Sequence, residues 1–341
     1  MNFIVLGAGA IGCYVGARLA LDGQQVTLVG RPRVIDPLAL NGLTVTDLDG
    51  FKGHLDAASL RLTSSLSAAL TLPMLTQPTV ILLCVKGGAT ESAAQEIARA
   101  CPPGTTVVSL QNGVDNVGRI TANAPHMKAL AGMVPYNVVM PSSNHVHRAT
   151  SGRLKMARSP VSEQMLALFN AAGLATELSD DMRAVQWGKL LINLGNPVNA
   201  LSDLPVLDQL KSRDYRCVMA DLQSEALAAL GAAGIRPAQV TSSPAWLLPH
   251  VLRLPDWLFL RLASRMMRID ATARSSMWED VQQGRVTEID DLCGAVVRLA
   301  QRQGLQAPLN AAMCQLIASH RKGQRMSGKA LARALTLHAH V

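Results

Sequence analysis

Hydrophobic residues near the start of the chain fall into short strand-like runs that alternate with helical spacing. The apolar run from Asn2 to Leu6 stops at Gly7, and small and apolar residues at helical spacing continue from Ala10 to Leu21. Further runs predict strands at residues 25–29, 79–85 and 105–110 and a helix at residues 91–100. This alternation predicts a parallel sheet covered on both faces by helices, so the fold class is α/β with a doubly wound, Rossmann-like sheet.

Shorter runs complete this half of the chain and show where it ends. Residues 41–62 contain alternating pieces and three glycines, which indicate a hairpin excursion, and residues 163–172 predict a last helix. The runs at residues 127–140 and 145–156 predict further strands that close the sheet. After residue 176 or so, long helical patterns replace the strand-like runs. We therefore predict a Rossmann-like domain over residues 1–177, an all-helical domain over residues 178–320 and a basic tail over residues 321–341.

Composition excludes several classes of protein. The chain is 49% hydrophobic and 16% charged, so it can bury sizeable cores. Only 3% of its residues are aromatic, which leaves little material for stacking on single-stranded nucleic acid. The longest apolar run, residues 80–85, is far shorter than the ~18 residues that span a bilayer. We expect a soluble, cytoplasmic protein without a secretory signal, and neither nucleic acid nor membrane as a partner.

Charge and cysteine content add two expectations. Five of the residues behind the net charge of +8 follow the last strongly patterned helix: Arg321, Lys322, Arg325, Lys329 and Arg333. A solvated helix end or frayed terminus accounts for them, and contact with RNA or a membrane is the alternative. The six cysteines form no Cys-x-x-Cys pair and have no histidine at metal-ligand spacing, so we expect reduced thiols and no metal site.

The first predicted turn carries a G-x-G-x-x-G motif made of Gly7, Ala8, Gly9, Ala10, Ile11 and Gly12. The motif alone is a weak signal, but here it directly follows a strand and opens a helix. Gly7 can make the sharp turn, Gly9 lets the backbone approach a pyrophosphate, and Gly12 permits close packing of helix and strand. The motif predicts a dinucleotide site, and the alternative is that its glycines serve only the turn and the packing.

The end of the second strand predicts which dinucleotide binds. An NAD-selective site places Asp or Glu there to bind the ribose 2′-hydroxyl, whereas this chain has Gly30, Arg31, Pro32 and Arg33. A guanidinium group pairs with a 2′-phosphate that a carboxylate would repel. NADP(H) is therefore the predicted cofactor, with Arg31 as the first candidate and Arg33 as the second. An ordinary exposed loop arginine is the alternative.

Polar residues also follow two other strands of the predicted sheet. Lys86 comes after the third strand, and Asn112 stands before Gly113 after the fourth. The carboxyl ends of parallel strands form the ligand-binding edge of such a sheet. Position alone leaves two possibilities open: contact with cofactor or substrate, or a solvated strand end and a turn.

The first long helix of the second half carries an unusual polar stripe. Lys189, Asn193 and Asn196 lie opposite its apolar face, although asparagine is a poor helix former. Pro197 removes the hydrogen bond to the carbonyl of Asn193 and should kink the helix there. The stripe predicts a ligand cleft, and a solvated amphipathic helix is the alternative. An ammonium group that faces a ketone can stabilise charge on its oxygen and supply a proton.

Two further residues stand at predicted helix starts. The segment from Ser275 to Asp280 begins a helix that Gly284 ends, and residues 287–290 have the form of a capping box before the next helix. Periodicity leaves the roles of Ser276 and Glu288 undecided, because a carboxylate at a helix start also has a purely structural use.

Together these features resemble the ketopantoate reductase (2-dehydropantoate 2-reductase) family over nearly the whole chain. The motifs that carry the resemblance are Gly7 to Gly12, Arg31, Leu83 to Lys86, Gln111 to Gly113, Trp187 with Lys189 and Asn193, Ser275 to Asp280, and Thr287 with Glu288. The resemblance implies a Rossmann domain, a helical C-terminal domain and NADPH-dependent reduction of a 2-keto acid. Ketopantoate, on the route to pantothenate and coenzyme A, is the implied substrate.

The resemblance also implies roles for single residues. It implies Lys189 as the proton donor, Asn112 at the junction of cofactor and substrate, and Glu288 near the nicotinamide end of the cofactor. It implies Asn193 and Ser276 as substrate ligands, Lys86 as part of the same pocket, and a mainly structural role for Asp280.

Two departures from the family pattern bear on the substrate. The family commonly has a second asparagine four residues after the first, directly before proline, whereas Asn196 comes three residues after Asn193. We carry the substrate-binding role to Asn196, because Asn199 leaves the polar stripe. The segment at residues 244–270 is longer and more apolar than in compact members of the family.

Other functions remain open at this stage. The enzyme could reduce another branched or aromatic 2-keto acid or oxidise a hydroxy acid, and a non-catalytic NADPH-binding sensor with a partner-binding basic tail is the rival from another class. The sequence is compatible with a homodimer and with a monomer.

Overall fold

The computed structural model describes residues 1–70, 78–239, 244–263 and 273–339. The chain divides into two compact units, Met1–Met182 and Arg183–Val341. Part of the long apolar segment predicted at residues 244–270, namely residues 264–270, lies outside the described residues, as do the last two residues of the basic tail. The two units are described in turn.

The first unit contains all the strands of the described residues. In chain order these are β1 (Asn2–Leu6), β2 (Gln25–Val29), β3 (Leu43–Asp47), β4 (Lys52–Leu55), β5 (Arg61–Thr63), β6 (Thr79–Leu83), β7 (Thr106–Ser109), β8 (Lys128–Met133), β9 (Val138–Ser142), β10 (His145–Arg148), β11 (Leu154–Ala157) and β12 (Thr176–Ser179). Its described helices are α1 (Ala10–Leu21), α2 (Pro32–Asn41), α3 (Leu66–Ala69), α4 (Thr90–Ala100), α5 (Asn116–Asn123) and α6 (Pro160–Ala171).

Eight strands form the main sheet in the order β12-β11-β8-β7-β6-β1-β2-β5. Every neighbouring pair from β5 through β8 is parallel, and β11 joins β8 in the antiparallel sense. The order β5-β2-β1-β6-β7-β8 is that of a doubly wound Rossmann sheet. The predicted fold class of this half is therefore confirmed.

The central strand shows why this sequence forms a sheet covered on both sides. All five residues of β1 are buried. Phe3 and Val5 belong to one hydrophobic core, and Ile4 and Leu6 belong to the other. Successive side chains of a strand point to opposite faces, so an uninterrupted apolar run fits a strand with helices on both sides.

A second, four-stranded sheet in the order β4-β3-β10-β9 corrects one prediction. The hairpin predicted within residues 41–62 is present as β3 and β4. The runs at residues 127–140 and 145–156 are split, however: β8 and β11 join the main sheet, whereas β9 and β10 belong to the second sheet. The buried Arg148 of β10 holds this arrangement, because its guanidinium pairs with Asp47 of β3 at 3.1 Å and donates to the Tyr14 hydroxyl at 3.0 Å.

The described residues of the second unit form helices and connecting loops without strands, as predicted. Its helices are α7 (Met182–Asn193), which begins at the boundary, α8 (Gly195–Ser202), α9 (Val206–Lys211), α10 (Arg213–Ala232), α11 (Leu248–Leu252), α12 (Asp256–Ala263), α13 (Ser276–Gln282), α14 (Ala295–Arg302), α15 (Pro308–Ser319) and α16 (Gly328–Ala339). A π turn at Asp290–Gly294 precedes α14. None of the helices in the described ranges has the length and apolarity needed to cross a bilayer.

A buried arginine fastens the apolar segment to the long helix of this unit. Arg216 is fully buried, and its guanidinium donates to the carbonyls of Leu252 and Leu254 at 2.8 and 2.9 Å. The same group pairs with Asp256 and lies 4.0 Å from the centre of the Phe259 ring. Because these contacts satisfy carbonyls at the end of α11, residues 248–259 are held against α10.

The basic side chains of the tail are solvated, as predicted, but the helix that carries the last of them, α16, is packed and not frayed. Leu331 and Leu335 of α16 are buried, the Met326 amide donates to the Leu201 carbonyl at 2.9 Å, and the Tyr215 hydroxyl donates to the Met326 carbonyl at 2.8 Å. The basic side chains stay exposed while the leucines one turn apart pack inward. The prediction gave weight to the charges and overlooked this apolar spacing.

Candidate active site

The turn after β1 accepts only glycine at its first position. Gly7 has φ +111°, and its amide and that of Ala8 donate to the Val29 carbonyl at 2.9 and 3.1 Å. A Cβ atom at Gly7 would lie 2.6 Å from the backbone carbonyl carbon of Cys84. The turn therefore rests directly on the chain that leaves β6, and any side chain there would force the two apart.

The other two glycines of the motif differ in their surroundings. A Cβ atom at Gly12 would lie 2.1 Å from the Gly7 carbonyl oxygen, so this position serves close packing. Gly9 is exposed, and a Cβ atom there would meet nothing within 4 Å. Gly9 is also the N-cap of α1 and leaves the first amides of the helix without a capping side chain. The loop is closed towards the sheet and open outward, which fits a pyrophosphate at a helix N-terminus.

The position of the loop in the sheet agrees with this use. β1 lies between β2 and β6, where the strand order reverses. Ligands of open α/β sheets bind at the carboxyl ends of the strands at this switch point. Gly7 to Gly12 therefore stand where a dinucleotide is expected.

Arg31 and Arg33 both remain available to a ligand. Arg31 is the exposed N-cap residue of α2, directly after the end of β2, and Arg33 is exposed in the first turn of that helix. Neither side chain forms a hydrogen bond or an ion pair with any residue that the structure describes. No acidic residue follows the end of β2 directly, because the first one after Val29 is Asp36 in α2.

Lys86 and Asn112 follow strands that a buried polar network ties together. The Gln111 carboxamide donates to the Val85 carbonyl at 2.9 Å and to the Thr90 hydroxyl at 2.7 Å. The Thr90 hydroxyl donates to the Asn116 side chain at 3.0 Å, and that side chain donates to the Asn112 carbonyl at 2.7 Å. The network fixes the segments after β6 and β7 at one edge of the sheet. Lys86 is exposed there, and Asn112 is half-buried.

Thr90 and Asn116 are residues of this site that sequence reasoning missed. Both are buried near helix starts, at 0% and 1% exposure. Thr90 and Asn116 are 26 positions apart, and only the fold shows that they meet.

In the second unit, the polar helix is divided into two helices near the position where a kink was predicted. α7 ends at Asn193, Leu194 forms a turn, and α8 begins at Gly195 with Pro197 in its first turn. Proline is tolerated at that position because the first amides of a helix have no intrahelical partner. The break separates Lys189 and Asn193 on one helix from Asn196 on the next.

Lys189 has a strongly perturbed ammonium group. Burial lowers its pKa from 10.5 to about 8, and the negative charge of Glu288 acts in the opposite direction. A charged group removed from water favours its neutral form, and a nearby opposite charge restores the charged form. The pair thus holds an ammonium that can release a proton close to neutral pH.

The three asparagines of this region have different uses. Asn199 is buried, donates to the Leu204 carbonyl and the Gln209 side chain, each at 2.9 Å, and accepts from the Ser275 amide at 2.9 Å. The half-buried side chains of Asn193 and Asn196 form no hydrogen bond within the described ranges. Asn199 is thus committed to the fold, whereas the other two carboxamides are free to take a ligand.

Ser276 is placed beside α8 by its neighbour. Ser275 caps α13, accepting from the Trp278 amide at 3.1 Å and donating to the Asn196 carbonyl at 3.3 Å. Ser276 is the first residue of that helix and is exposed, with no hydrogen bond from its hydroxyl to any described residue. Asp280 is buried and paired with Arg285 at 2.9 Å, which closes the turn that ends at Gly284.

The capping box predicted at residues 287–290 is wrong. Ile289 occupies the N-cap position without a capping side chain, and a π turn follows at Asp290–Gly294. The Glu288 carbonyl accepts from the Asp291 amide at 3.1 Å. Asp290 is engaged instead by Arg298, which lies two turns further along the chain.

The predicted residues therefore form two sets, one in each unit. The first set lies at the carboxyl edge of the main sheet and contains the glycine-rich loop, Arg31, Lys86 and Asn112. In the second unit, Lys189 is coupled to Glu288, and Ser276 stands next to α8 with Asn196.

The fold and the glycine-rich loop define the class of protein: an oxidoreductase with a Rossmann-like unit for a dinucleotide and an all-helical second unit. Two sequence models match the chain, Ketopantoate reductase PanE/ApbA over residues 3–160 and Ketopantoate reductase PanE/ApbA C terminal over residues 181–321. The chain belongs to the ketopantoate reductase family, whose members use NADPH.

Relatives match along most of their length. The 2-dehydropantoate 2-reductase of Pyrococcus horikoshii is 29% identical over 327 residues, which cover 93% of this chain and 96% of the relative. A crystal structure of a PanE/ApbA family ketopantoate reductase from Ralstonia eutropha has a TM-score of 0.78 at 28% identity and covers 93% of this chain and 97% of that one. A ternary structure of D-mandelate dehydrogenase with NADH and anilino(oxo)acetate shares the fold, with a TM-score of 0.75 at 18% identity and 99% coverage of both chains.

The asparagines give a first test. Asn199→Ala should lower the free energy of unfolding of the second unit by about 2 kcal/mol, because it leaves buried partners unpaired. Asn196→Ala should change it by less than about 0.5 kcal/mol. All four tryptophans lie in this unit, so urea unfolding followed by tryptophan fluorescence measures both variants. Equal stability losses would contradict the assignment of Asn199 to the fold and Asn196 to a ligand.

Proposed function

We propose that this protein reduces 2-dehydropantoate to pantoate with NADPH, a step in the synthesis of pantothenate and coenzyme A. The observation that carries the proposal is the ammonium of Lys189, whose pKa of about 8 suits a proton donor, in a member of this family. The relatives named 2-dehydropantoate 2-reductase support the choice of substrate.

The chemistry requires a proton donor beside the reacting ketone. When bound, NADPH supplies a hydride to the carbonyl carbon of the 2-keto acid. The electron pair of the breaking C=O π bond then collects on oxygen, and the Lys189 ammonium transfers a proton to it and becomes a neutral amine. The lowered pKa of Lys189 makes this transfer easier than from an ordinary lysine.

Glu288 and the polar side chains complete the proposed machinery of the second unit. The carboxylate of Glu288 keeps Lys189 charged before the reaction, because it opposes the effect of burial. Asn193, Asn196 and Ser276 present donors and acceptors without net charge, so they can bind the carboxylate and hydroxyl groups of a substrate without displacing the pKa of Lys189.

The first unit supplies the cofactor site in this proposal. The amides at Gly7 to Gly12 bind the pyrophosphate, and Arg31 pairs with the 2′-phosphate of NADPH. Lys86 and Asn112, at the same edge of the sheet, contact the cofactor in this proposal, and Asn112 also contacts the substrate. The six cysteines are free thiols, which supports the cytoplasm as the compartment of the reaction.

The pH dependence of the reaction follows from Lys189. A proton donor must be charged in the free enzyme, so kcat/KM for 2-dehydropantoate should be constant at low pH and fall about tenfold per pH unit above pH 8 or so. Lys189→Ala should lower kcat/KM by about a thousandfold and leave the Kd for NADPH nearly unchanged. A rate that stays constant to pH 10 would contradict the proton-donor role.

The cofactor preference is tested at Arg31. Arg31→Ala should raise the Kd for NADPH by about 30-fold, because it removes a charge-assisted pair with the 2′-phosphate, and it should leave the Kd for NADH within about twofold. Arg33→Ala, at the second candidate, should raise the Kd for NADPH less than Arg31→Ala does. Equal losses for the two cofactors in Arg31→Ala would defeat the assignment.

The substrate is tested with a panel of acids. Oxidation of NADPH, followed by absorbance, should give a kcat/KM for 2-dehydropantoate at least about tenfold above that for other branched 2-keto acids and for phenylglyoxylate. A higher value for one of the other acids would assign the enzyme to that substrate instead.

A further inference from the structure

An ion pair closes the π turn that follows Glu288. Arg298 on α14 donates through Nη1 to both carboxylate oxygens of Asp290, at 2.9 and 3.0 Å, and through Nη2 to the Asp290 carbonyl at 2.9 Å. We refer to these contacts as the Asp290–Arg298 clamp. It binds the side chain and the backbone of the same residue, and thereby fixes the start of the turn.

Glycine at the end of the turn makes room for the clamp. A Cβ atom at Gly294 would lie 2.3 Å from Oδ1 of Asp290 and 3.1 Å from Nη1 of Arg298. The carboxylate therefore folds over a backbone that has no side chain. At the other end, the Asp291 amide donates to the Glu288 carbonyl at 3.1 Å, which links the clamped turn to Glu288.

The clamp is not built to add stability. The side chain of Asp290 is 73% exposed and that of Arg298 is 33% exposed. Ion pairs at such exposure contribute little to the free energy of folding. A π turn is an uncommon geometry that is frequent at functional sites. An exposed pair on the first residue of this turn, two positions after Glu288, fits a role in local geometry.

The charges of the clamp and of Glu288 act on two different groups. The fields of Asp290 and Arg298 act on the Cys314 thiol, where they oppose each other, and the negative charge of Glu288 raises the pKa of Lys189 against the effect of burial. A variant that combines a change in the clamp with Glu288→Gln tests whether the clamp reaches Lys189 through Glu288.

We propose that Asp290, Arg298 and Gly294 are positioning residues that hold the Glu288 carboxylate against Lys189 and so keep the proton donor charged. The proposal rests on the proposed function of Lys189. It adds a second layer to the site: the clamp fixes the turn, the turn fixes Glu288, and Glu288 preserves the charge of the ammonium.

The test follows the titration of Lys189 in the full-length protein. Lysine labelled with ¹³C at Cε allows its pKa to be read by NMR, with the Lys189 signal identified by its loss in Lys189→Arg. Arg298→Met should move the Lys189 titration to lower pH by about half a pH unit, and Glu288→Gln should move it further in the same direction. The double variant should titrate where Glu288→Gln does, because the clamp acts through Glu288.

Controls separate positioning from folding. Asp208→Asn breaks an ion pair of 2.8 Å between Asp208 and Lys211 on another helix and should leave the Lys189 titration unchanged. Arg298→Lys keeps the charge but loses contacts of the guanidinium, and it should give a smaller shift than Arg298→Met. If Arg298→Met unfolds the protein, the shift in Arg298→Lys alone decides the proposal.

The outcomes distinguish this inference from the proposed function. An unshifted Lys189 titration in both Arg298 variants, with a shift in Glu288→Gln, would overturn the inference and leave the proposed function standing. Additive shifts in the double variant would also overturn it. The predicted NMR shifts in a protein that does not reduce 2-dehydropantoate would support the positioning of Glu288 and refute the proposed function.

Discussion

The partial desolvation of one ammonium group, offset by one carboxylate, is the interaction on which the proposed chemistry depends. Burial alone would drive Lys189 towards the neutral amine, which has no proton to give, and full exposure would leave a pKa too high for easy release. The opposing effects of burial and Glu288 place that pKa at about 8. The capped helix at Ser275 and the buried side chain of Asn199 fix the backbone beside Asn196 and Ser276. In the proposal above, the π turn does the same for Glu288.

The first unit has a different physical requirement: its backbone must allow a polyanion to approach closely. Gly7 and Gly12 allow the loop to press against the sheet, and Gly9 leaves its outer side open. The network of Gln111, Thr90 and Asn116 keeps neighbouring strand ends in place with buried, paired polar groups. Rigid hydrogen-bonded supports of this kind position a binding edge without adding charge to it.

The features that could be predicted from the sequence are those determined by residues close together in the chain. The strand, the glycine-rich turn and the helix at the start of the chain follow from contiguous residues, and so does the irregularity of the helix before Pro197. The π turn escaped prediction because the residue that binds its first position, Arg298, lies eight positions beyond Asp290. The second sheet and the Thr90–Asn116 contact depend on pairs far apart in the chain.

Chemical rescue of Lys189→Ala tests the central claim most directly. If the ammonium of Lys189 donates the proton, added small primary amines should restore part of the lost rate of 2-dehydropantoate reduction, in proportion to the concentration of their protonated form. A Lys189→Ala variant that turns over within a few-fold of the wild-type rate without any amine would contradict the account.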